Sequence, residues 1–551
     1  MCYDTYFNGY FHPANVCRAE DGLQSGLLYA LYQKQQGARL SRDGIEHRAA
    51  KVSLVTGLST LLSVGLQLIS VPICLKYWGK ETYGSWLALY AAFLLVRSLD
   101  GGVVAYVGNK LNYLYHQDQD ALREHLASSI TGIAVIGVLQ LSIGVVAIFS
   151  DGIVLLLGVT SGPTTNHRSS LALLVLIVIW ALSGSYLGIV HRLLIPTGFM
   201  YQAAWWSMGF QVSQFIGIIL AAMLHFDLLQ TSLLFAFVQL SIYLASAIYI
   251  RLKLPAYYPW WRGGRPRTGI KDLGRSMLLT ASNLIQQGST NGTVILVSAL
   301  SGPAAVPVFT TVRTLANLWT NVTNVLTTPL LPDVVRYHTT GEGWKLVRVN
   351  EAYWALVGSA VNLGVLITYP LIEPMYGYWT AHQLALDKSL LCLFLAGVVL
   401  ANVGGLITLY LNGINSLRVV LAASVLRGAS SLVVGGFLFL HFGLAGFGAA
   451  ILGGELLALL MLGYYFVRRE LPRQGVALPV LSLAPIAVST ASVLIFLMSE
   501  GFGFPLAQYF YPVALLGVAT AALWGWRGLE PGVKHRLRCM IGDRFARKGV
   551  A

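Results

Sequence analysis

Long apolar stretches separated by short polar breaks dominate the pattern of the chain. They run over about 52–74, 84–108, 126–149, 171–190, 205–224, 228–250, 277–300, 303–330, 352–372, 389–411, 418–440, 445–467, 477–498 and 507–526. Each is near the roughly 20 residues that a helix needs to cross the hydrocarbon core of a bilayer. The pattern predicts an all-α polytopic membrane protein with about fourteen transmembrane helices. The longest internal polar break, residues 251–276, has six spans before it and eight after it. Six is an even number, so spans 1–6 and 7–12 enter the membrane from the same side. They form two lobes related as a parallel repeat, with two further C-terminal spans. The expected divisions are a cytoplasmic N-terminal extension over 1–51, an N-lobe over 52–250 and a basic linker over 251–276. A C-lobe over 277–467, the last two spans over 468–526 and a basic tail over 527–551 complete the chain.

Composition supports lipid as the solvent: 56% of the 551 residues are hydrophobic and 11% are charged, against roughly 25% charged in soluble domains. The net charge of +14 would point to nucleic acid in a soluble protein. Here its distribution sets orientation instead, and no nucleic-acid partner is expected. Counted over alternate sides of the predicted spans, 30 of the 37 Lys and Arg fall on one side. Four (Lys76, Lys80, Arg168 and Lys388) fall on the other, and Arg97, Arg313 and Arg427 lie inside spans. Positive charge stays on the cytoplasmic side, so both termini are predicted to be cytoplasmic. Reporter fusions after Arg275 and after Arg538 should both report cytoplasm; a periplasmic signal at either position refutes this topology. The polar stretch before Lys51 does not have the pattern of a signal peptide. Aromatic pairs at span ends, such as Trp205–Trp206 and Trp260–Trp261, are expected as interface anchors. Cys2, Cys17, Cys74, Cys392 and Cys539 form no CxxC pair, so neither a disulfide framework nor a metal site is expected.

Four spans carry polar stripes. In the first, Thr56, Thr60, Ser63, Gln67 and Ser70 recur at helical spacing. In the seventh, Ser282, Asn283, Gln286, Gln287, Thr290 and Asn291 do so, and in the eighth Arg313, Asn317, Thr320, Asn321, Asn324 and Thr328. The second holds Arg97 and Asp100, three residues apart. Such residues can serve as glue between packed helices. An arginine at mid-membrane, however, costs about 3 kcal/mol on insertion scales, which favours a stripe facing water. Spans 1 and 7 are equivalent under a six-span repeat, as are 2 and 8. The polar spans therefore form one symmetric set, expected around a central hydrated cavity with one arginine from each lobe. A cationic cavity suits an anionic ligand. The predicted substrate-binding set is Gln67, Arg97, Asp100, Asn283, Gln287, Asn291, Arg313, Asn317, Asn321 and Asn324. Glu455 after Gly453–Gly454 and Arg427 are candidates for ion coupling, or else interhelical partners.

No GxxxxGK[ST] phosphate loop and no HExxH occurs in the sequence, and no cofactor is expected. Asp118-Gln119-Asp120 has the DxD form of metal-dependent glycosyltransferases, but no nucleotide-binding domain surrounds it.

The stretch Tyr77-Trp78-Gly79-Lys80-Glu81-Thr82-Tyr83-Gly84-Ser85-Trp86, followed by Leu99-Asp100-Gly101-Gly102, resembles the opening of Wzx-type polysaccharide flippases of the MOP exporter superfamily. It departs from that pattern in having Trp78 where leucine is frequent and in displacing the second glycine by one. The resemblance implies a non-enzymatic transporter of the bacterial inner membrane. Its expected substrate is an oligosaccharide on undecaprenyl diphosphate, moved by alternating access through a cavity lined by spans 1, 2, 7 and 8. Expected partners are the bilayer, the lipid-linked substrate, a polysaccharide polymerase and a chain-length regulator. Two rival readings are a small-molecule antiporter of the multidrug (MATE) type and a membrane-embedded oligosaccharide polymerase or ligase. The antiporter would use carboxylates for cationic drugs, and the enzyme would act from a large outer loop.

Overall fold

In the lipid core every backbone N–H and C=O must be satisfied within its own segment, so the apolar runs become helices. The computed structural model describes residues 45–115, 117–149, 158, 162–414, 416–504 and 507–528. The expected extension over 1–51 and the tail over 527–551 lie almost wholly outside the described residues. Internal contacts divide the chain into residues 1–56 and 57–551; the architecture that follows is that of the second unit.

The protein is all-α, and no strand occurs among the described residues. Helix α1, Gly57–Arg97 in this unit, is broken at Gly79, whose φ of 71° lies in the left-handed region open to glycine. Helix α2 (Gly101–Tyr115) follows a turn, then α3 (Gln119–Phe149). Helix α4 begins as Gly162–Ile179 and passes through a π-helical turn, Trp180–Gly184, into Ser185–His191. Helices α5 (Met200–Met223) and α6 (Leu228–Lys253) complete the first set. Helix α7 starts as Pro266–Gln287, passes a π turn at Gly288–Gly292 and ends as Thr293–Ser301; α8 spans Ala305–Thr327. Helix α9 runs from Gly343 to Trp379. Helix α10 is a pair, Lys388–Val403 and Gly405–Gly413, bent by 51°. Helix α11 (Leu417–Ala429, continued by Gly435–Phe442 after a π turn) and α12 (Leu444–Tyr465) follow. Helices α13 (Val480–Gly501) and α14 (Ala507–Gly528) end the described chain.

Among the described residues, ten helices qualify as membrane spans by length and apolarity, or eleven with the bent pair. The chain is therefore a multi-pass membrane protein. Helices α7 and α8 are not among the ten, because the polar stripes occupy the positions that would make them apolar. Large apolar side chains such as Phe149 and Phe237 point outward, as expected where lipid replaces water.

Backbone contacts locate the closures of the bundle. A Cβ on Gly84, in the second half of α1, would fall 1.8 Å from the carbonyl oxygen of Pro303, between α7 and α8. A Cβ on Gly102 would fall 2.2 Å from the backbone nitrogen of Thr280 in α7. Both glycines belong to the stretch carrying the family resemblance, and the structure supplies a packing reason for each.

Candidate functional site

The polar stripes of α1 and α8 meet. Ser59, Thr60, Ser63 and Gln67 from α1 face Thr314, Asn317, Thr320 and Asn321 from α8 across a cavity of about 440 Å³, with Gln211 of α5 closing one wall. Gln67 Nε2 donates to the Thr314 hydroxyl at 3.1 Å, which joins the two helices directly. Every polar group among the lining residues is a hydroxyl or an amide, and no ionised side chain is among them. Hydroxyls donate and accept, as do side-chain amides. Such a surface can satisfy the hydroxyls of a sugar without a net charge requirement.

The remaining predicted residues fall around this cavity rather than all within it. Arg313 precedes Thr314 on α8. Its Nη1 donates to the Thr290 carbonyl at 2.8 Å, inside the π turn of α7, and its guanidinium lies 5.5 Å from the Phe309 ring. A π turn shifts the hydrogen-bond ladder by one residue, and Arg313 supplies a donor there. Among the described residues, Arg97 and Arg313 are held by different partners. Arg97 ends α1 and lies 3.8 Å over the Trp180 indole, in a small pocket with Phe93, Gln214 and Tyr243. Asp100 is buried and accepts from Trp180 Nε1 at 2.6 Å and from the Ser185 hydroxyl, both on α4. The turn at Ser98–Asp100 separates α1 from α2, so a three-residue spacing does not place Arg97 and Asp100 on one helical face.

Asn283 Nδ2 donates to the Ser98 carbonyl at 2.8 Å. It also lines a separate cavity of about 180 Å³ with Ser282, Gln286 and Asn412. Asn291 is buried and donates to Gln287 at 2.7 Å, while Asn324 is exposed past the cavity. Arg427 Nε donates to Glu455 at 2.9 Å, pairing α11 with α12. Asp118 accepts from the backbone N–H groups of Asp120 and Ala121; the DxD tripeptide is a helix cap.

Sequence reasoning missed a second polar centre. Asp272 on α7 is 1% exposed and is reached from three helices. His125 Nδ1 of α3 lies 3.1 Å away, Lys110 Nζ and the Tyr106 hydroxyl of α2 both lie at 3.4 Å, and Arg275 of its own helix is at 3.6 Å. The available signal was that Asp272 is the sole acid in the basic stretch 251–275. The cluster ties α7 to α2 and α3 beside the Gly102–Thr280 contact and a second one, where a Cβ on Gly132 would fall 2.9 Å from the Gly269 carbonyl oxygen.

No protein-family model matches the chain, and no curated protein matches its sequence. Solved structures do. The chain is similar to the lipid II flippase MurJ in its inward closed conformation, with a TM-score of 0.63 and 14% identity, over 86% of this chain and 97% of that one. It is also similar to an inward-facing multidrug resistance MATE family transporter of the MOP superfamily, with a TM-score of 0.57 and 16% identity, over 76% and 99% of the two chains. A third is a MOP superfamily transporter from Pyrococcus furiosus, described as having reverse polarity of its binding pocket, with a TM-score of 0.51 and 14% identity over 80% and 99%. The fold is that of the MOP superfamily. Within the MOP fold, the helices carrying the Gly84 and Gly102 close approaches are those on which the family-like stretch lies, and the polar cavity lies between α1 and α8.

Proposed function

We propose that the protein is a Wzx-type flippase. It moves an oligosaccharide carried on undecaprenyl diphosphate across the bacterial inner membrane, with both termini in the cytoplasm. In this reading it has fourteen spans, and residues 52–250 and 277–467 act as two parallel lobes that alternate access to the cavity. A polysaccharide polymerase and a chain-length regulator act on the delivered product. The observation that carries the proposal is the α1–α8 cavity, whose hydroxyl and amide lining suits a glycan. A multidrug-type antiporter for cationic drugs would place a carboxylate in that lining. A polymerase or ligase would need a large basic outer loop, and the predicted outer loops hold four Lys and Arg in all. The likeness to a structure named as a lipid II flippase supports a lipid-linked substrate, and the tail of such a substrate can stay in lipid while its sugar crosses in the cavity.

The test is a strain lacking the protein. Single oligosaccharide units on the carrier lipid should accumulate facing the cytoplasm. Units facing outward would make the protein a polymerase, and unchanged intermediates would remove it from glycan export altogether. In the complemented strain, replacing Asn317 and Asn321 together by leucine should lower export at matched protein level. Each neutral hydrogen bond contributes roughly 0.5–1.5 kcal/mol, so the pair should weaken substrate binding about five- to a hundredfold.

A further inference from the structure

A proline inside the first helix leaves a backbone acceptor open. Pro72 lies within α1, and proline has no N–H to give the carbonyl four residues earlier. That carbonyl belongs to Leu68. It accepts instead from the indole Nε1–H of Trp379 at 2.7 Å, a contact between residues 311 apart in the chain. Trp379 is the last residue of α9. Its side of the contact is fastened to α8. The Trp379 ring stands edge-on to that of Tyr376, with centroids 6.1 Å apart, and the buried Tyr376 hydroxyl lies 3.0 Å from that of Thr311. Just beyond the indole, Ala381 and His382 hold φ values of 51° and 57°. Residues other than glycine stay in that region only where their surroundings impose it.

The Leu68 carbonyl adjoins the polar cavity. Gln67, the residue before it, lines that cavity and bonds Thr314 of α8. At membrane depth a carbonyl without a partner is costly, so Leu68 needs a donor from a neighbouring helix or from water. A water-filled cavity supplies that donor when α1 and α9 part. The contact therefore has two satisfied states, joined and hydrated, as a closure that must open requires. Gly84 and Pro303 make a second close approach between α1 and the entry to α8. The Gly79 break, Pro303 and Trp379 all fall where the span count puts the outer side, after spans 1, 7 and 9.

We propose that Trp379 is the latch that closes the polar cavity on its outer side. Its indole holds α1, at the carbonyl freed by Pro72, against α8 and α9, and its release lets the cavity open outward. The proposal rests on the alternating-access reading above, in which residues 52–250 and 277–467 move relative to each other. Trp379 touches no substrate in this role; it is a positioning residue that sets the balance between the closed and the open state.

Cys74, fully buried on α1 just after Pro72, reports the release. Its labelling rate with a soluble maleimide is measured on the purified full chain, with Cys2, Cys17, Cys392 and Cys539 replaced by alanine. Trp379→Phe keeps a ring against Tyr376 and removes the donor. It should speed labelling roughly two- to tenfold, the ratio for one neutral hydrogen bond. In a Pro72→Ala background residue 72 gives its own N–H to Leu68, so adding Trp379→Phe should leave the rate nearly unchanged. A cysteine placed at Ser276, buried on the first stretch of α7, with Cys74 also replaced, should label alike with and without Trp379→Phe, because the opening is confined to one end. If Trp379→Phe does not accumulate, Trp379→His, which retains a ring donor of shorter reach, takes its place in the same comparisons with a smaller ratio expected. An unchanged Cys74 rate, equal acceleration at Ser276, or the same acceleration in the Pro72→Ala background would overturn the latch. Labelling needs no substrate, so failure of the glycan reading would show in the deletion strain and not in these rates.

Discussion

Arg313→Ala should abolish or sharply reduce polymer export while the protein still inserts into the membrane. The guanidinium carries five N–H donors, and one of them is committed to the Thr290 carbonyl. The next residue, Thr314, lines the polar cavity. If the substrate's diphosphate enters there, the planar fork of Arg313 meets it in a way that lysine cannot reproduce. Loss of one charge-assisted contact costs about 1.5–3 kcal/mol, or roughly ten- to a hundredfold in affinity. Arg313→Lys should then rescue export only in part. The bond to Thr290 makes a purely structural role the competing expectation. In that case Arg313→Ala would lower the melting temperature of the purified protein and its cellular amount together, and Arg313→Lys would restore both. Complementation of a flippase-null strain at matched protein level separates the two. Full export by Arg313→Ala ends the phosphate-binding role.

The second large effect is expected at Asp272. Removing a buried acceptor that two cations, Lys110 and Arg275, share leaves their charges without compensation, and breaking a buried pair costs roughly 3–5 kcal/mol. Lys110 and Arg275 are partly solvated, at 29% and 62% side-chain exposure, so Asp272→Ala should lie at or below the low end of that range. Asp272→Asn, which keeps one carbonyl acceptor, should cost less. The loss falls on the contact of α7 with α2 and α3, so its consequence is local opening as well as a lower melting temperature. A cysteine placed at Ser276, which is fully buried on the same stretch of α7, should react with a soluble maleimide at least roughly tenfold faster in the Asp272→Ala background, the ratio for about 1.4 kcal/mol. Equal labelling rates in the two backgrounds, with equal melting temperatures, would show that the cluster does not hold this contact.

The all-helical membrane class was legible because it is local. Each apolar run had to satisfy its own backbone in lipid, and each became helix. The stripes on α1 and α8 were legible for the same reason, since helical spacing puts Thr60, Ser63 and Gln67 on one face wherever the helix stands. Arg97 and Asp100 show where such reasoning stops. Their spacing reads as one face only if the helix is continuous, and the turn at Ser98–Asp100 breaks it. Arg97 then packs on Trp180, and Asp100 reaches Trp180 and Ser185 from the other side of the break.

Sequence alone determined the solvent, the helices and which of their faces are polar, because hydropathy and helical period act within a few turns of chain. Tertiary structure decided which faces meet. Gln67 and Thr314 are 247 residues apart, and their contact depends on the packing of whole helices. It decided that the lining of the α1–α8 cavity is neutral, with Arg313 bonded to a carbonyl of α7 and Arg97 on an indole. It also drew Asp272 out of a stretch that reads as solvated basic linker and buried it against His125 and Lys110. A buried charge is stable only where its partners are, and those partners come from other helices, so no local pattern could announce it.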